Sequence, residues 1–336
     1  MKPMIWHLLT TLLQAGLWER DTVLAAVPDH AQWRALLEAA HAQAVTGLLL
    51  RGVSHLPEAQ LPPADIRMRL LTEADTLERT HAAITRVEAE LLASLSKAGL
   101  HPIVQKGSQA AKYYACPALR ACGDIDLYLP EAEFGQALQL VPEARRTPDG
   151  SAVFARDGMS VEFHPRYYDL HLPPEELPGA GSVCGEILLL SAHICKHAIG
   201  AGIGLKQLCD LARTLHAAEG RYDKSELQAA LRRCGLLRWH RLLCSLLVED
   251  LGLDAACCLP AFRPCNAEPL RRIVRRGGNF GQAAPRRKAA LRKGAAVRKA
   301  DTLAAFLCRL PFSLRYAFRE TIATLRELAA GNLRKR

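Results

Sequence analysis

The chain has 336 residues, of which 49 % are hydrophobic and 23 % are charged, a composition typical of a soluble globular protein. Aromatic residues reach only 6 %, which argues against a stacking surface for single-stranded nucleic acid, and no uncharged apolar run approaches the ~18 residues of a transmembrane helix. The net charge of +10 is concentrated at one end, because residues 267–336 carry 18 Lys/Arg against 4 Asp/Glu, whereas residues 1–266 carry 26 against 30.

Helical periodicity dominates both ends of the chain. Apolar residues at spacings of three and four predict an N-terminal helical region over residues 1–98. The same spacing predicts a helical domain over 173–262, with helices at 186–218 and 225–252. Residues 263–336 form a basic C-terminal region that ends in an amphipathic helix.

Residues 99–172 depart from this pattern and predict a small α/β core. Residues 101–104 form a short candidate strand, and residues 124–129 alternate polar and apolar side chains as a half-buried strand does. Residues 152–164 predict a β-hairpin with its turn at Asp157-Gly158. The expected fold class is therefore α+β, a small mixed-sheet core flanked by N-terminal and C-terminal helical regions.

A Gly-Ser pair follows the first candidate strand and opens a predicted helix. Gly107 has no Cβ to obstruct a phosphate, and the N–H groups at a helix N-terminus favour negative charge. We therefore expect Gly107 and Ser108 to contact a nucleotide phosphate. Lys106 and Arg120 lie close to this pair in sequence, and each can pair either with a phosphate or with a carboxylate of the protein.

Three carboxylates are predicted to meet on one face of the sheet. Asp124 and Asp126 are two positions apart on a candidate strand, so their side chains project from the same face. Glu162 lies on a neighbouring candidate strand and supplies a third carboxylate, with His164 on its face as a hydrogen-bonding neighbour. Oxygen ligands of this kind suit Mg²⁺, so Asp124, Asp126 and Glu162 are the predicted metal ligands, with Mn²⁺ as an alternative ion.

A later predicted helix carries two histidines four residues apart. His193 and His197 share one face of this helix, a spacing that zinc sites use, but no Cys or acidic residue close in sequence completes a zinc site. The favoured interpretation is a polar stripe that faces the cleft, where Lys196 or His197 contacts substrate. Asp210 is expected to form a hydrogen bond between helices.

These motifs resemble a known superfamily. Gly107-Ser108, Asp124-Ile125-Asp126 and the later strand carboxylate are similar to the signature of DNA polymerase β-like nucleotidyltransferases. More narrowly, residues 100–281 resemble a bacterial family of uncharacterised nucleotidyltransferases. The matching positions are Lys106-Gly107-Ser108, Tyr113-Tyr114, Pro117, Arg120, Gly123-Asp124-Ile125-Asp126-Leu127, Glu162-Phe163-His164-Pro165, His193, Lys196-His197, Asp210 and Gly277-Gly278-Asn279-Phe280-Gly281.

The resemblance implies roles for individual residues. It implies Gly107 and Ser108 at the nucleoside triphosphate, Asp124 and Asp126 as metal ligands, and Glu162 as the third carboxylate and the base for an incoming hydroxyl. Two features depart from the superfamily pattern. The spacer between Ser108 and Asp124 is longer than usual, and the third carboxylate is Glu rather than Asp.

The cysteines and the N-terminus indicate a compartment. The 11 cysteines are odd in number, form no Cys-x-x-Cys motif and fall largely in apolar helical patterns, which is typical of a reducing cytosol. Residues 1–18 lack a clear cleavage site and a strongly charged start, so they do not match a signal peptide. We predict a cytoplasmic protein, with peripheral contact to the inner face of the membrane as an option.

Three functions are compatible with these patterns. The first is a Mg²⁺-dependent enzyme that transfers a nucleoside monophosphate from a triphosphate such as ATP to the hydroxyl of an unknown acceptor, with a small molecule, saccharide or peptide favoured over RNA. The alternative is a non-catalytic protein that binds a nucleotide or a partner and docks on acidic membrane or nucleic acid. Its docking surface is a predicted cationic stripe with Arg271-Arg272, Arg275-Arg276 and residues 286–293. The third, polynucleotide tailing, needs an extended basic groove beside the site.

Overall fold

Two sets of helices flank one five-stranded sheet in a computed structural model that describes residues 1–147, 149–171, 173–200, 202–281 and 295–333. The helices before the sheet are α1 (Pro3–Trp18), α2 (His30–Ala42), α3 (Thr46–Val53) and α4 (Ala64–Lys97). The sheet region contains β1 (Ile103–Gln105), α5 (Lys106–Ala111), β2 (Asp124–Tyr128), α6 (Glu131–Gln139), β3 (Arg145–Arg146), β4 (Ala152–Arg156) and β5 (Met159–His164). The helices after it are α7 (Val183–Ile199), α8 (Leu205–Ala218), α9 (Lys224–Arg233), α10 (Leu237–Leu251), α11 (Glu268–Gly277), α12 (Ala295–Tyr316) and α13 (Phe318–Leu333).

The sheet is mixed, with the strand order β1-β2-β5-β4-β3. Strands β2 and β5 are parallel, and the other neighbours are antiparallel. Together with the flanking helices, this arrangement confirms the predicted α+β class. The register of the parallel pair places Asp126 opposite Glu162 and Tyr128 opposite His164.

Alternation along β2 and β5 separates a buried apolar face from a polar face. Ile125, Leu127, Val161 and Phe163 are fully buried and pack in one core with apolar residues of α4 and α6. Because side chains alternate across a strand, the intervening residues project from the opposite face, towards α7 and α8. This alternation positions the polar site described below.

The helical regions are more broken than the periodicity predicts. The predicted helix 186–218 is two helices, α7 and α8, separated by a segment in which Gly202 has a φ of +129°. The predicted helix 225–252 is likewise divided into α9 and α10 near Gly235, whose φ is +72°. Both conformations suit glycine, which has no Cβ, and both end the regular helix. Strand β3, only two residues long, was not indicated by any alternation.

A second, larger core joins the two ends of the chain. Apolar residues of α1, α2 and α3 pack with those of α7, α8, α9 and α10, including the buried Trp33 and Trp239. The long helix α4 contributes to both cores, because its first turns join this cluster and its last turns cover the sheet. Among the described residues, no helix combines the length and hydropathy needed to cross a bilayer. The division into four regions stays a prediction.

Candidate metal and nucleotide site

Three side chains from the polar face of the sheet form a close group. Asp126, Glu162 and His164 each offer one ligand atom, and these atoms all lie within 4.8 Å of one another. The Nε2 atom of His164 lies 2.7 Å from Asp126 Oδ1 and 3.6 Å from Glu162 Oε2. The in-register parallel pairing of β2 with β5 brings the two carboxylates together.

The Asp126 carboxylate has its own positive partners. The Nζ atom of Lys106 lies 3.4 Å from Asp126 Oδ1 and 3.7 Å from Asp169 Oδ2. Burial alone would raise the pKa of Asp126, but Lys106 and His164 outweigh it and hold the pKa below its usual value. Burial would lower the pKa of Lys106, and the two carboxylates instead raise it. Asp126 and Lys106 are therefore both charged at neutral pH.

Glu162 is in a different electrostatic state from Asp126. Its side chain is 35 % exposed, against 7 % for Asp126. Partial burial and the adjacent Asp126 charge raise the pKa of Glu162. Glu162 is thus the carboxylate better suited to accept a proton. Asp124 lines a cavity in front of these side chains but contributes no atom to the close group of Asp126, Glu162 and His164.

The donor set fits a divalent cation that prefers oxygen. Both ring nitrogens of His164 already have partners, since Nδ1 lies 3.1 Å from Ser151 Oγ and Nε2 contacts Asp126. The ligands that remain are carboxylate oxygens of Asp126 and Glu162, with Asp124 beside them. Such oxygens are what Mg²⁺ or Mn²⁺ selects over imidazole.

The wall opposite the carboxylates is cationic. A cavity of about 290 Å³ separates the polar face of the sheet from α7 and α8, and Gly107, Arg120 and Lys206 line it. Arg120 donates from Nε and Nη2 to the two oxygens of Asp210, at 3.0 and 2.5 Å. The Tyr114 hydroxyl donates to the same carboxylate at 2.8 Å. Of the two partners that the sequence allowed for Arg120, a phosphate or a carboxylate of the protein, the structure shows the carboxylate of Asp210. Asp210 was predicted to bond another helix, but its partners Arg120 and Tyr114 lie in the segment between α5 and β2.

One nitrogen of Arg120 is left for a ligand. Its Nη1 atom is buried, in a side chain that is only 4 % exposed, and has no hydrogen-bond partner among the described residues. A Cβ built on Gly107 would lie 3.3 Å from this Nη1 and 3.0 Å from Cys122 Sγ, so glycine keeps the approach open. A buried guanidinium donor without a partner favours an anion.

Lys206 is the second cation of this wall, and no sequence motif indicated it. Its ammonium lies 5.7 Å from the centroid of the Phe280 ring. Burial and the nearby Arg120 charge lower the pKa of Lys206. Within the described part of the chain, no carboxylate forms an ion pair with it. Lys206 and Arg120 together thus present positive charge in the same cavity as the carboxylates.

The predicted histidine stripe lines the cavity. His193 Nδ1 lies 2.7 Å from Asp169 Oδ2, and the His193 and His197 rings are 4.5 Å apart. Burial lowers the pKa of both histidines, so both are neutral at pH 7. Lys196 Nζ lies 3.0 Å from Asp169 Oδ1. Asp169, which no sequence motif indicated, therefore organises this side of the site.

Of the two residues predicted to contact a phosphate, Gly107 and Ser108, only one lies at the cavity. Ser108 is half-buried on α5 and is not among the described residues that line the cavity, whereas its neighbour Gly107 is. Helix α5 ends at Ala111, and Tyr113 donates its hydroxyl to Glu186 at 2.8 Å. The backbone of the Gly-Ser segment is thus better placed at the cavity than the Ser108 side chain.

The predicted cationic stripe on α11 is largely neutralised by the protein itself. Arg271 forms ion pairs with Glu249, Asp250 and Glu268. Arg272 pairs with Glu268 at 2.9 Å, and Arg275 donates to the backbone of Met1. The charges on this helix therefore contribute less to a docking surface than their number suggests. Residues 286–293 of the predicted stripe lie outside the described residues.

A comparison with known families supports the nucleotidyltransferase interpretation. Residues 29–178 match the family model of an uncharacterised nucleotidyltransferase. The match spans α2 to β5, which includes all the carboxylates of the close group, and it supports a transferase enzyme. Arg120 lies inside the matched segment, whereas Lys206 and Asp210 lie beyond it. No curated protein and no solved structure matches the chain.

Proposed function

We propose that this protein is a Mg²⁺-dependent nucleotidyltransferase that moves a nucleoside monophosphate from a triphosphate to a hydroxyl group of an acceptor. The observation that carries the proposal is the in-register placement of Asp126 beside Glu162, in one cavity with Arg120 and Lys206. Carboxylates together with the Lys206 ammonium and the one free guanidinium nitrogen of Arg120 suit a cation and a polyphosphate bound side by side.

The cationic wall would bind the triphosphate. The free Nη1 of Arg120 donates to a phosphate oxygen, while Asp210 and Tyr114 fix the guanidinium in place. Lys206 supplies a second positive charge, and Gly107 allows the phosphate close to the backbone. When bound by Asp124, Asp126 and Glu162, Mg²⁺ supplies charge neutralisation at the phosphates.

The transfer step follows from these placements. The acceptor oxygen forms a bond to the α-phosphorus, and the bond between that phosphorus and the bridging oxygen to the β-phosphate breaks. Pyrophosphate leaves with the electron pair of that bond. The proton of the acceptor hydroxyl passes to the Glu162 carboxylate, which lies opposite Asp126 on the neighbouring strand and is partly exposed to the cavity. Positioning and charge stabilisation account for the rate enhancement.

Pyrophosphate release tests the proposal. Wild-type protein is incubated with each nucleoside triphosphate, Mg²⁺ and an acceptor panel, and is compared with Asp126→Asn and Glu162→Gln. We expect both variants to lose at least 100-fold in rate, because each removes a charged group from the reacting centre. Asp157→Asn is the matched control, since Asp157 lies in the exposed β4–β5 turn and only pairs with Arg86 at 3.5 Å. Equal rates in all four proteins would contradict the proposal.

Lys206→Met tests the phosphate wall separately. We expect the KM for the triphosphate to rise about tenfold, because one charged contact is lost, while the folded protein is retained. Lys112→Met is the control, since the Lys112 ammonium binds Gln109 on the surface. Mg²⁺-dependent nucleotide binding by the wild type without turnover on any acceptor would instead favour the non-catalytic alternative.

A further inference from the structure

A second cavity adjoins the candidate site. It has a volume of about 450 Å³. It shares Asp149, His164, Asp169 and Lys196 with the cavity of about 290 Å³ that the carboxylates line. His164 therefore separates the second cavity from the carboxylate pair, with its Nε2 atom 2.7 Å from Asp126 Oδ1. A molecule in the second cavity would therefore lie beside the first cavity, in contact with the residues that both share, without displacing a triphosphate from it.

The walls of the second cavity are polar and close to balanced in charge. Asp149, Asp169 and Glu327 contribute carboxylates, and Arg166, Lys196 and His171 contribute nitrogen donors. Several of these groups already neutralise one another. Lys196 lies 3.0 Å from Asp169, and His171 Nε2 lies 3.4 Å from Glu327 Oε2. A ligand therefore meets similar numbers of hydrogen-bond donors and acceptors. Because the charges nearly balance, the wall attracts a strongly charged group only weakly.

Helix α13 borders the second cavity. The Nδ1 atom of His171 lies 2.7 Å from Glu320 Oε2, and the exposed Glu327, two turns further along α13, lines the cavity. Glu320 is 8 % exposed, so this contact is a packed one. Helix α13 therefore forms one side of the cavity, where Glu327 is accessible to a ligand that enters from solvent.

We propose that this second cavity binds the acceptor, and that the acceptor is an uncharged polyhydroxylated small molecule, a polyol or a sugar. This proposal rests on the proposed function, because only a transferase has an acceptor. A hydroxyl both donates and accepts hydrogen bonds, so a wall with several carboxylates and several nitrogen donors can bind several hydroxyls at once. The volume lies within the ordinary range for a small-molecule site.

The same chemistry disfavours other acceptor classes. The nearly balanced charge of the wall gives no strong net attraction to the phosphates of RNA or of a sugar phosphate. Single-stranded RNA also needs aromatic platforms. The aromatic ring of the wall is that of Tyr168, whose hydroxyl already donates to the Pro178 carbonyl oxygen at 2.5 Å.

Ligand-observed NMR on the full chain tests the proposal without any nucleotide. The neutral probes are glycerol, myo-inositol, glucose and N-acetylglucosamine, and the charged or polymeric probes are glucose 6-phosphate, a serine tetrapeptide and oligo(A). We expect saturation transfer to at least one neutral probe, with tighter binding of glucose than of glucose 6-phosphate. Glu327→Ala should weaken that binding about tenfold, because one charge-assisted hydrogen bond is lost.

Arg326→Ala is the matched control, because Arg326 is exposed on the same helix and does not line the cavity. We expect Arg326→Ala to bind like the wild type. Arg166→Ala changes a cavity residue that lies outside α13, so it separates the loss of a ligand contact from a local disturbance of α13. It should weaken binding by a similar factor. Tighter binding of the phosphorylated, peptide or RNA probe, or unchanged binding in both Glu327→Ala and Arg166→Ala, would overturn the proposal.

The two proposals fail in different ways. Binding of a neutral probe by wild type without pyrophosphate release on any acceptor refutes the enzymatic function and retains the cavity as a polyol site. Pyrophosphate release on a peptide or RNA, without binding of a neutral probe, retains the enzymatic function and refutes the acceptor class.

Discussion

The buried ion pair between Arg120 and Asp210 gives a sharp test of the site's architecture. Both side chains are 4 % exposed, and the carboxylate accepts two bonds from Arg120 and one from Tyr114. Loss of one partner leaves an uncompensated charge in the interior, which costs about 3–5 kcal/mol. We therefore expect Arg120→Met and Asp210→Leu each to lower the free energy of unfolding by that amount.

The double variant should cost less than the sum of the single ones. With both charges removed, the remaining defects are the Tyr114 hydroxyl without its acceptor and the imperfect packing, together about 2–4 kcal/mol. Subtraction from the summed single losses of about 6–10 kcal/mol leaves a coupling energy of at least about 2 kcal/mol. Urea unfolding followed by tryptophan fluorescence measures all four proteins in one cycle.

An exposed ion pair provides the control cycle. Asp75 and Arg79 pair one helical turn apart on α4, with side chains 61 % and 73 % exposed. Alanine substitutions there should couple by no more than about 0.5 kcal/mol. Additive losses for Arg120→Met and Asp210→Leu, within about 0.5 kcal/mol, would refute the claim that the buried pair acts as a unit.

Two further changes address the phosphate approach and the dependence of stability on pH. Gly107→Ala should raise the KM for the triphosphate about tenfold, because the new Cβ crowds Arg120 Nη1 at 3.3 Å, whereas Gly123→Ala, with open space around its Cβ, should leave the KM unchanged in the same pyrophosphate assay. An equal KM in both variants would contradict the proposed approach. Burial lowers the pKa of His240 to about 4, so the unfolded chain, with a His pKa of about 6.5, binds the proton first as the pH falls. Stability should therefore fall by about 3 kcal/mol between pH 7 and pH 4, and His240→Leu should remove this part of the slope in urea titrations at each pH. A slope unchanged by the substitution would refute the assignment.

Local patterns in the sequence were sufficient to predict the strands that carry the acidic residues. The alternation at 124–129 and the Asp157-Gly158 turn correspond to β2 and to the β4–β5 hairpin. Alternation also predicts which residues share a face, and so the meeting of Asp126 with Glu162 could be expected once the strands were neighbours. These are short-range signals, and they transfer directly to the fold.

Residues that act through distant contacts could not be predicted in this way. Asp169 lies in an irregular segment between β5 and α7, where no periodicity marks it, yet it contacts Lys106, His193 and Lys196. Lys206 resembles any helical lysine until Phe280 packs against it. In both cases, the role depends on tertiary packing between segments far apart in the chain.

Helix ends were missed for a different reason. The apolar spacing continues across the break between α7 and α8, so periodicity alone extends the helix through it. The glycines in that segment were the available signal, because a φ of +129° at Gly202 cannot belong to a helix. A Cβ on Gly202 would also lie 3.1 Å from the Gly281 backbone, which ties this break to the Phe280 segment.

The parallel register of β2 and β5 also ties the candidate site to a finished sheet. A slip of one residue would turn Glu162 towards the core beneath α4 and α6 and leave Asp126 without its carboxylate neighbour. The pair of carboxylates therefore exists only in the native strand alignment, and chains with a slipped register would lack it.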